Sequence, residues 1–225
     1  MARHRYQQYC ALARALDVVG DRWTLLIVRE LTPGPRRFTD LLDGLPGIGR
    51  NLLTERLRVL ESDGVIVRDE LPPPAARQVY ALTDDGHDLA LAMAPMIAWG
   101  ARRIGDRKGG EIFRARWLAV AMLSLADREA AQGVRESYQY VVGDSMFHFT
   151  IDDGSIELHD GSARDPAVIW TTDEETWAQI ASGEIPSPSA ISVTGDRHAV
   201  KRMRKIFSRS AMLARAKPHA SRPRR

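Results

Sequence analysis

The chain has 225 residues, 44% hydrophobic and 27% charged, which is the balance of a globular protein with one large domain or two ordinary ones. No apolar run approaches the ~20 residues of a transmembrane helix, and the charged start, Met1 to Tyr6, precedes no apolar run, so we expect neither a membrane span nor a signal peptide. A single cysteine, Cys10, excludes an intramolecular disulfide and favours a cytoplasmic location.

The formal net charge of +3 is distributed unevenly along the chain. Residues 1–110 hold 16 basic and 14 acidic side chains (+2), residues 111–205 hold 10 basic and 15 acidic (−5), and residues 206–225 hold 6 basic and none acidic (+6). We therefore expect a polyanion to bind the first block, provided that its arginines share one face, with assistance from the tail. The middle block is not expected to bind one.

Four helices are predicted in the first third of the chain, from the spacing of apolar residues and the breakers between them. Gly20 ends the first helix, Asp21 is suited to cap the second, and Gly64 is suited to end the fourth. Pro33 lies in the loop after the second helix. The predicted helices cover residues 11–19, 22–31, 38–42 and 50–63.

The apolar spacing changes from helical to alternating after Gly64, which predicts strands. The segment between the two strands contains three prolines and cannot continue a ladder, so it is predicted as a loop. The strands cover residues 65–68 and 78–82, the loop 71–76, and a following long helix 83–105. Helices, strand, loop, strand and helix in this order are the plan of a winged helix.

The second half of the chain has a separate, turn-rich pattern. Gly-Asp, Asp-Asp-Gly and Asp-Gly-Ser turns separate short alternating runs, which is typical of hairpins in a mainly antiparallel sheet. The predicted strands cover residues 137–142, 145–150, 155–159, 167–171 and 191–193, and the helices 113–125, 174–182 and 196–207. We therefore predict an α+β fold with domains at 1–108 and 109–210 and a basic, disordered tail at 211–225.

The fourth predicted helix has two different sides. At 100° per residue, Leu53, Leu57 and Leu60 share one side and are expected in the core. The dipole and free amides at the helix N-terminus favour a phosphate, and polar side chains and methyl groups can contact base edges. The polar residues at the N-terminus and on the other side are Arg50, Asn51, Thr54, Glu55 and Arg58. The alternative is an ordinary solvated face, which this helix alone does not exclude.

The strand, loop and strand after this helix favour DNA binding over the solvated face. Arg68 and Arg77 are expected at the base of the loop, where a wing contacts the DNA backbone or minor groove, although each arginine alone is also typical of a solvated surface. Residues near the N-terminus of a recognition helix reach bases best, so Asn51 and Thr54 rank above Arg58 for base contact.

Several spaced stretches of the first half form one larger pattern: Leu16-Asp17-Val18-Val19-Gly20-Asp21-Arg22-Trp23, Arg37-Phe38-Thr39-Asp40-Leu41, Leu53 to Gly64, and Tyr80-Ala81-Leu82-Thr83-Asp84-Asp85-Gly86. With Cys10, they resemble HxlR-type regulators over residues 9–105. The resemblance implies a MarR-like homodimer that grips an inverted-repeat operator in double-stranded DNA. It places the fourth helix in the major groove, and the first and last helices of the domain in the dimer contact. Ala11 departs from the proline that usually follows the cysteine.

Cys10 has a sharper interpretation within this resemblance, because such regulators use a cysteine at this place to sense electrophiles or oxidants. Arg14 lies one helical turn further on and can stabilise a thiolate. One hypothesis is therefore a redox-sensing Cys10. The other is a small, half-buried thiol with no role.

The order of elements in the second half is similar to that of sterol-carrier-protein-like domains, with strands, a helix, a glycine turn, a strand, Gly195-Asp196 and a last helix. The resemblance implies an α/β domain whose sheet carries helices on one side and encloses an apolar groove for a hydrophobic small molecule. It departs at Pro186-Ser187-Pro188-Ser189, where carrier relatives often have an apolar stretch. The candidate groove residues, each also typical of an ordinary core, are Phe147, Phe149, Ile169, Trp170, Trp177, Ile180 and Met203.

The sequence carries no pattern of catalysis, cofactor binding or metal binding. It has no glycine-rich phosphate loop, no His-Glu-x-x-His or Cys-x-x-Cys pair and no nucleophile elbow, so we predict no enzyme, no cofactor and no metal. We predict a dimeric transcriptional regulator whose C-terminal domain senses a hydrophobic effector. The main alternative is a lipid or hydrophobic-ligand carrier with an N-terminal interaction module.

Overall fold

The computed structural model describes residues 6–70, 77–104 and 108–208. Contacts within the chain form two compact units, Met1–Ala92 and Met93–Arg225. The predicted proline-rich loop at 71–76 and the predicted basic tail at 211–225 lie outside the described residues. The domain boundary predicted after residue 108 stays a prediction.

The N-terminal unit has the order of helices and strands that the sequence predicts. Its elements are α1 (Ala11–Val19), α2 (Thr24–Leu31), α3 (Phe38–Gly44), α4 (Arg50–Ser62), β1 (Ile66–Glu70), β2 (Gln78–Leu82) and α5 (Asp84–Ala92). The two strands pair antiparallel, with Ile66 opposite Leu82. Tyr80 also exchanges two backbone hydrogen bonds with Arg36, at 2.7 and 2.8 Å, so a segment before α3 extends the pair by one bridge.

Two helix ends in this part of the chain differ from the prediction. Asp21 does not cap α2, because the cap position is Trp23 and the Asp21 carboxylate instead binds the Arg56 guanidinium of α4. The single long helix predicted over 83–105 is wrong, because the helix is interrupted at Met93 and a new helix, α6 (Ala94–Ala101), begins there with Pro95 in its first turn. Proline donates no backbone hydrogen bond, so it fits the start of a helix and not its interior.

The start of α5 packs closely on the residues that follow α4. A Cβ on Gly86 would lie 2.1 Å from the Val65 carbonyl oxygen, so only glycine fits this contact. Thr83 fastens the same junction, because its hydroxyl donates to the Gly64 carbonyl oxygen at 2.5 Å and accepts from the Gly86 N–H at 3.2 Å. Thr83 and Gly86 therefore hold the start of α5 against the turn that connects α4 to β1.

The C-terminal unit contains one five-stranded sheet and its helices. Its elements are α6, α7 (Ala115–Leu125), β3 (Arg135–Val142), β4 (Ser145–Asp152), β5 (Ser155–Asp160), β6 (Val168–Thr172), α8 (Glu174–Ser182), β7 (Ile191–Gly195) and α9 (Arg197–Ile206). The strand order is β5-β4-β3-β6-β7, and only the β3–β6 pair is parallel. The prediction of a mainly antiparallel sheet is confirmed.

Alternation along the strands places one face of this sheet in the core. Tyr138 and Tyr140 of β3 point to that face and lie opposite Phe149 and Phe147 of β4. The Trp177 indole N–H of α8 donates to the Ala115 carbonyl oxygen of α7 at 3.0 Å, within the same core. The helices α7, α8 and α9 supply further buried residues, which include Ala119, Val120, Ala199, Met203 and Ile206.

Candidate nucleic-acid interface

The helix α4 is anchored on one side and open on the other. Leu53, Leu57 and Leu60 are at most 1% exposed, as predicted from their spacing. The side that the sequence assigned to DNA contact is exposed to solvent at every position, namely Arg50, Asn51, Thr54, Glu55 and Arg58. The polar side chains of α4 therefore do not pack inside the unit.

Most of these side chains keep their hydrogen-bonding groups available. Thr54 donates its hydroxyl hydrogen to the Arg50 carbonyl oxygen at 3.0 Å, and its side chain is exposed. The Arg50 guanidinium lies 5.8 Å from the centre of the Phe38 ring. Within the described part of the chain, the side chains of Asn51, Glu55 and Arg58 have no hydrogen-bond or ion-pair partner.

The N-terminus of α4 carries no capping side chain. Its cap residue is Gly49, which has extended backbone angles and no side-chain hydrogen bond. The first-turn amides of α4 therefore meet solvent rather than a side-chain acceptor. The free amides and the positive end of the helix dipole favour an anion at this end.

One ion pair joins α4 to the segment before α2, and a second lies within α2. Arg56 of α4 binds Asp21 at the start of α2. Glu30, which is 1% exposed, accepts from Arg29 Nε at 3.1 Å and from an Arg29 terminal nitrogen at 2.7 Å. Burial lowers the pKa of Arg29 from its ordinary value, and the Glu30 carboxylate opposes that shift. A Cβ on Gly44 would lie 2.5 Å from Glu30 Oε2, so the glycine lets α3 approach this buried carboxylate.

The two arginines predicted at the wing differ in their surroundings. Arg68 of β1 lies 3.2 Å from Glu61 Oε2 of α4 and 5.5 Å from the centre of the Tyr80 ring, so its charge is already paired. Arg77, just before β2, is exposed, and no partner for its side chain lies among the described residues. Arg77 is thus the more available of the two, and DNA contact by either residue stays a prediction.

Cys10 is exposed at the cap position of α1 and not half-buried. The Arg14 guanidinium, predicted to act on this thiol, lies 3.7 Å from the Asp17 carboxylate. Its charge is therefore shared with an acidic partner on the same helix. The redox-sensing role of Cys10 stays a prediction.

The structure places six of the seven predicted groove residues together and one apart. Phe147, Phe149, Trp177 and Met203 are at most 2% exposed in one continuous core, and Trp170 and Ile180 pack against it. Ile169 precedes Trp170 in β6 and so faces the other side of the sheet. Tyr138 and Tyr140 lie in the same core but were not among the predicted groove residues, although their alternation around Gln139 is a strand signal. Ligand binding by these residues stays a prediction.

A cavity with charged side chains in its lining lies in another part of the C-terminal unit. It has a volume of about 590 Å³ and is lined by Gly133, Val134, Arg135, Glu136, Asp153 and Arg202. Arg202 binds Glu136, and Arg135 lies 3.0 Å from Asp152, so the arginine charges are compensated. None of the predicted groove residues lines this cavity.

Residues 6–70, 77–104 and 108–208 contain no helix both long and apolar enough to span a bilayer. The same residues bring together no group of three or more His, Cys, Asp or Glu side chains suited to a metal ion.

An exposed polar helix followed by a two-stranded wing defines the class of winged helix-turn-helix transcriptional regulators. The family model for the HxlR-like helix-turn-helix matches residues 18–108. This chain belongs to that family. The match spans α2 to α6 and therefore includes α4, β1 and β2.

Two relatives and one solved structure illustrate the similarity. The chain is 37% identical over 91 residues to the uncharacterized regulator YvaP of Bacillus subtilis, which covers 40% of this chain and 84% of YvaP. It is 35% identical over 85 residues to the regulator YodB of the same organism, which covers 38% of this chain and 76% of YodB. The solved structure of the reduced form of YodB from B. subtilis aligns with 44% of this chain and with 100% of the YodB chain, at 32% sequence identity and a TM-score of 0.39.

Proposed function

We propose that this chain acts as a cytoplasmic, homodimeric transcriptional regulator that binds an inverted-repeat operator in double-stranded DNA with α4 in the major groove. The observation that carries this proposal is the two-sided helix α4. Three buried leucines hold it in place, while Asn51, Glu55 and Arg58 face solvent without a partner among the described residues.

The exposed groups of α4 suit the recognition of base edges. An asparagine amide can bond adenine with two hydrogen bonds, an arginine can bond guanine in the same way, and a glutamate can accept from cytosine. A threonine methyl group can contact the thymine methyl group. Asn51 and Thr54 lie near the N-terminus of α4, which is the part of a recognition helix that enters the groove most deeply.

Exposed apolar side chains support the dimer. On the N-terminal unit, Leu12 of α1 is 68% exposed and Leu91 of α5 is 56% exposed, and Tyr9 before α1 is also open to solvent. Apolar side chains on the first and last helices of a unit are best buried against a second copy. A two-fold axis would then present two α4 helices to half-sites about one DNA turn, ~34 Å, apart.

For the C-terminal unit we propose the role of effector module for a hydrophobic small molecule. One observation supports it: Trp170 Nε1 is buried and has no hydrogen-bond acceptor among the described residues. A ligand with a polar oxygen would satisfy this N–H while its apolar part contacts the neighbouring aromatic rings. The sterol-carrier resemblance and the alternative of a ligand carrier remain predictions of the sequence.

The test begins with selection of bound sequences from a pool of random DNA duplexes, because the operator is not identified. The selected duplex is then titrated with the wild-type chain and with Asn51→Ala and Arg58→Ala. Each variant should lose about 1–3 kcal/mol of discrimination at one base position of each half-site, because one set of base contacts disappears.

The matched control is Arg77→Ala, which should weaken binding to all duplexes alike, because a wing arginine contacts the backbone. A selection that yields no preferred sequence would contradict the proposal. So would equal losses on all duplexes for Asn51→Ala, Arg58→Ala and Arg77→Ala.

A further inference from the structure

A second exposed helix face, in the C-terminal unit, carries positive charge only. Residues 111–205 contain 10 basic side chains, and five of them lie in the ten-residue helix α9. The helix itself contains no acidic residue. The cations of residues 111–205 are therefore concentrated in α9, although the net charge of this block is −5.

Four of these cations form one stripe along α9. They are at positions i, i+4, i+7 and i+8, which share one side of a helix. All four are exposed, and none has a partner for its side chain among the described residues. We call this stripe the α9 cationic face, and its members are Arg197, Lys201, Arg204 and Lys205.

The other side of α9 is fixed in the core. Ala199, Met203 and Ile206 are at most 2% exposed. The fifth cation, Arg202, binds Glu136 of β3 and lies 3.9 Å from Asp196. This packing fixes the orientation of α9, so the α9 cationic face points away from the core of the C-terminal unit.

We propose that the α9 cationic face binds backbone phosphates of double-stranded DNA, so that the C-terminal unit contributes to operator affinity. This inference rests on the proposed function. The α9 cationic face is complementary in charge to duplex DNA, which carries one negative charge per ~1.7 Å of its axis. The face extends ~12 Å along the helix, so it can contact several phosphates at once. Lysine and arginine are the residues that most often contact phosphates.

The same helix does not suit an anionic membrane. A helix that binds a bilayer surface inserts its apolar face between the lipids. The apolar residues of α9 are buried in the protein core and are not available for insertion. Only a partner that needs charge without apolar contact fits this face.

The experiment compares two variants of the full chain that lose the same charge. Lys201→Gln, Arg204→Gln and Lys205→Gln are combined in the α9 variant, and Arg128→Gln, Arg135→Gln and Arg164→Gln in the control, since these three arginines are also exposed in the C-terminal unit. The dissociation constant of the selected duplex is measured between 0.05 and 0.3 M salt. Each lost phosphate contact lowers the slope of log K against log salt by ~0.9, so the α9 variant should lose up to ~2.7 per protomer.

Every outcome decides the inference. A slope that falls in the α9 variant and not in the control supports it. Equal slopes in both variants overturn it, and the proposed function survives if Asn51→Ala still relaxes sequence preference. A wild-type chain that binds no duplex overturns both. If the α9 variant instead loses binding to phosphatidylserine vesicles while its DNA slope is unchanged, the face serves a membrane and the inference is also overturned.

Discussion

The helices α4 and α9 are built on the same plan but present different chemistry to solvent. Each is held by three buried residues, Leu53, Leu57 and Leu60 in α4, and Ala199, Met203 and Ile206 in α9. The exposed side of α4 mixes an amide, a hydroxyl, a carboxylate and guanidinium groups, whereas the exposed stripe of α9 contains only cations. A mixed set of donors and acceptors can distinguish bases, whereas contacts from cations to backbone phosphates add affinity without sequence information.

The two helices also differ at their N-termini. At α4 the cap residue is Gly49, which offers no acceptor, so the first amides remain open to a phosphate. At α9 the Asp196 carboxylate accepts from the His198 and Ala199 N–H groups at 2.9 and 2.8 Å and occupies that position. The difference between the two helix starts agrees with the proposed roles, sequence recognition for α4 and sequence-independent affinity for α9.

The largest expected effect comes from removing an anchor of α4. Leu57→Ala should lower the free energy of unfolding by about 2–5 kcal/mol, because the side chain is fully buried and its removal leaves a cavity. It should also weaken the sequence preference, since α4 loses its fixed orientation. Urea unfolding followed by circular dichroism measures the first effect, and duplex competition measures the second.

A control for this prediction lies on the same helix. Leu52 is 37% exposed, so Leu52→Ala should cost about 1 kcal/mol, less than Leu57→Ala, because part of the Leu52 side chain already lies in water. Met203→Ala removes an anchor of α9 and should destabilise as much as Leu57→Ala, while base discrimination persists. If Leu52→Ala and Leu57→Ala were equally damaging, the two-sided description of α4 would be wrong.

The next effect concerns the junction that sets α4 relative to the wing. Gly86→Ala should cost about 1–3 kcal/mol, because its Cβ would lie 2.1 Å from the Val65 carbonyl oxygen and the backbone would have to move. Gly100→Ala is the matched control in α6, where no atom lies within 4 Å of the added carbon. Gly100→Ala should raise the free energy of unfolding by about 0.5–1 kcal/mol, because alanine favours a helix more than glycine does. Thermal unfolding of both variants checks the opposite signs.

The sequence predicted the features that depend on residues close together in the chain, and it did not predict contacts between residues far apart. The leucine spacing of α4 and the turn residues between the C-terminal strands are local, so α4, the hairpins and α8 were predicted within a few residues of their bounds. The exposed polar side of α4 followed from the same periodicity. The close contact of Gly86 with Val65 had no local signal beyond the glycine itself, because the two residues are 21 positions apart in the chain.

The features that the sequence missed involve partners distant in the chain. Asp21 had the local pattern of a helix cap, yet it binds Arg56, and only the folded arrangement reveals that competition. Arg68 was predicted at the base of the wing, and its ion pair with Glu61 of α4 had no local signal in the sequence. The α9 cationic face was hidden because net charge was summed over a block, and a helical wheel of residues 197–206 would have exposed it.

The smallest expected effect is a difference in acid stability between the two kinds of helix start. Hydrogen bonds from backbone N–H groups lower the pKa of Asp173, which caps α8, and of Asp196, which caps α9, below the ordinary value of 3.8. A carboxylate with a depressed folded pKa contributes stability that is complete above its unfolded pKa and is lost as pH falls through the folded pKa. The C-terminal unit should therefore weaken below about pH 4. The start of α4, capped by Gly49, has no such group.

Combining Asp173→Asn and Asp196→Asn isolates this effect, because asparagine caps a helix about as well as aspartate but does not titrate. The urea midpoint of the variant, followed by tryptophan fluorescence, should fall less between pH 6 and pH 3 than that of the wild-type chain. Asp144→Asn with Asp165→Asn removes the same charge from exposed positions and should leave the wild-type pH profile nearly unchanged. If the cap variant and this control gave the same pH profile, general charge repulsion and not the two capping carboxylates would govern the acid response. The different caps of α4 and α9 would then make no measurable difference to stability.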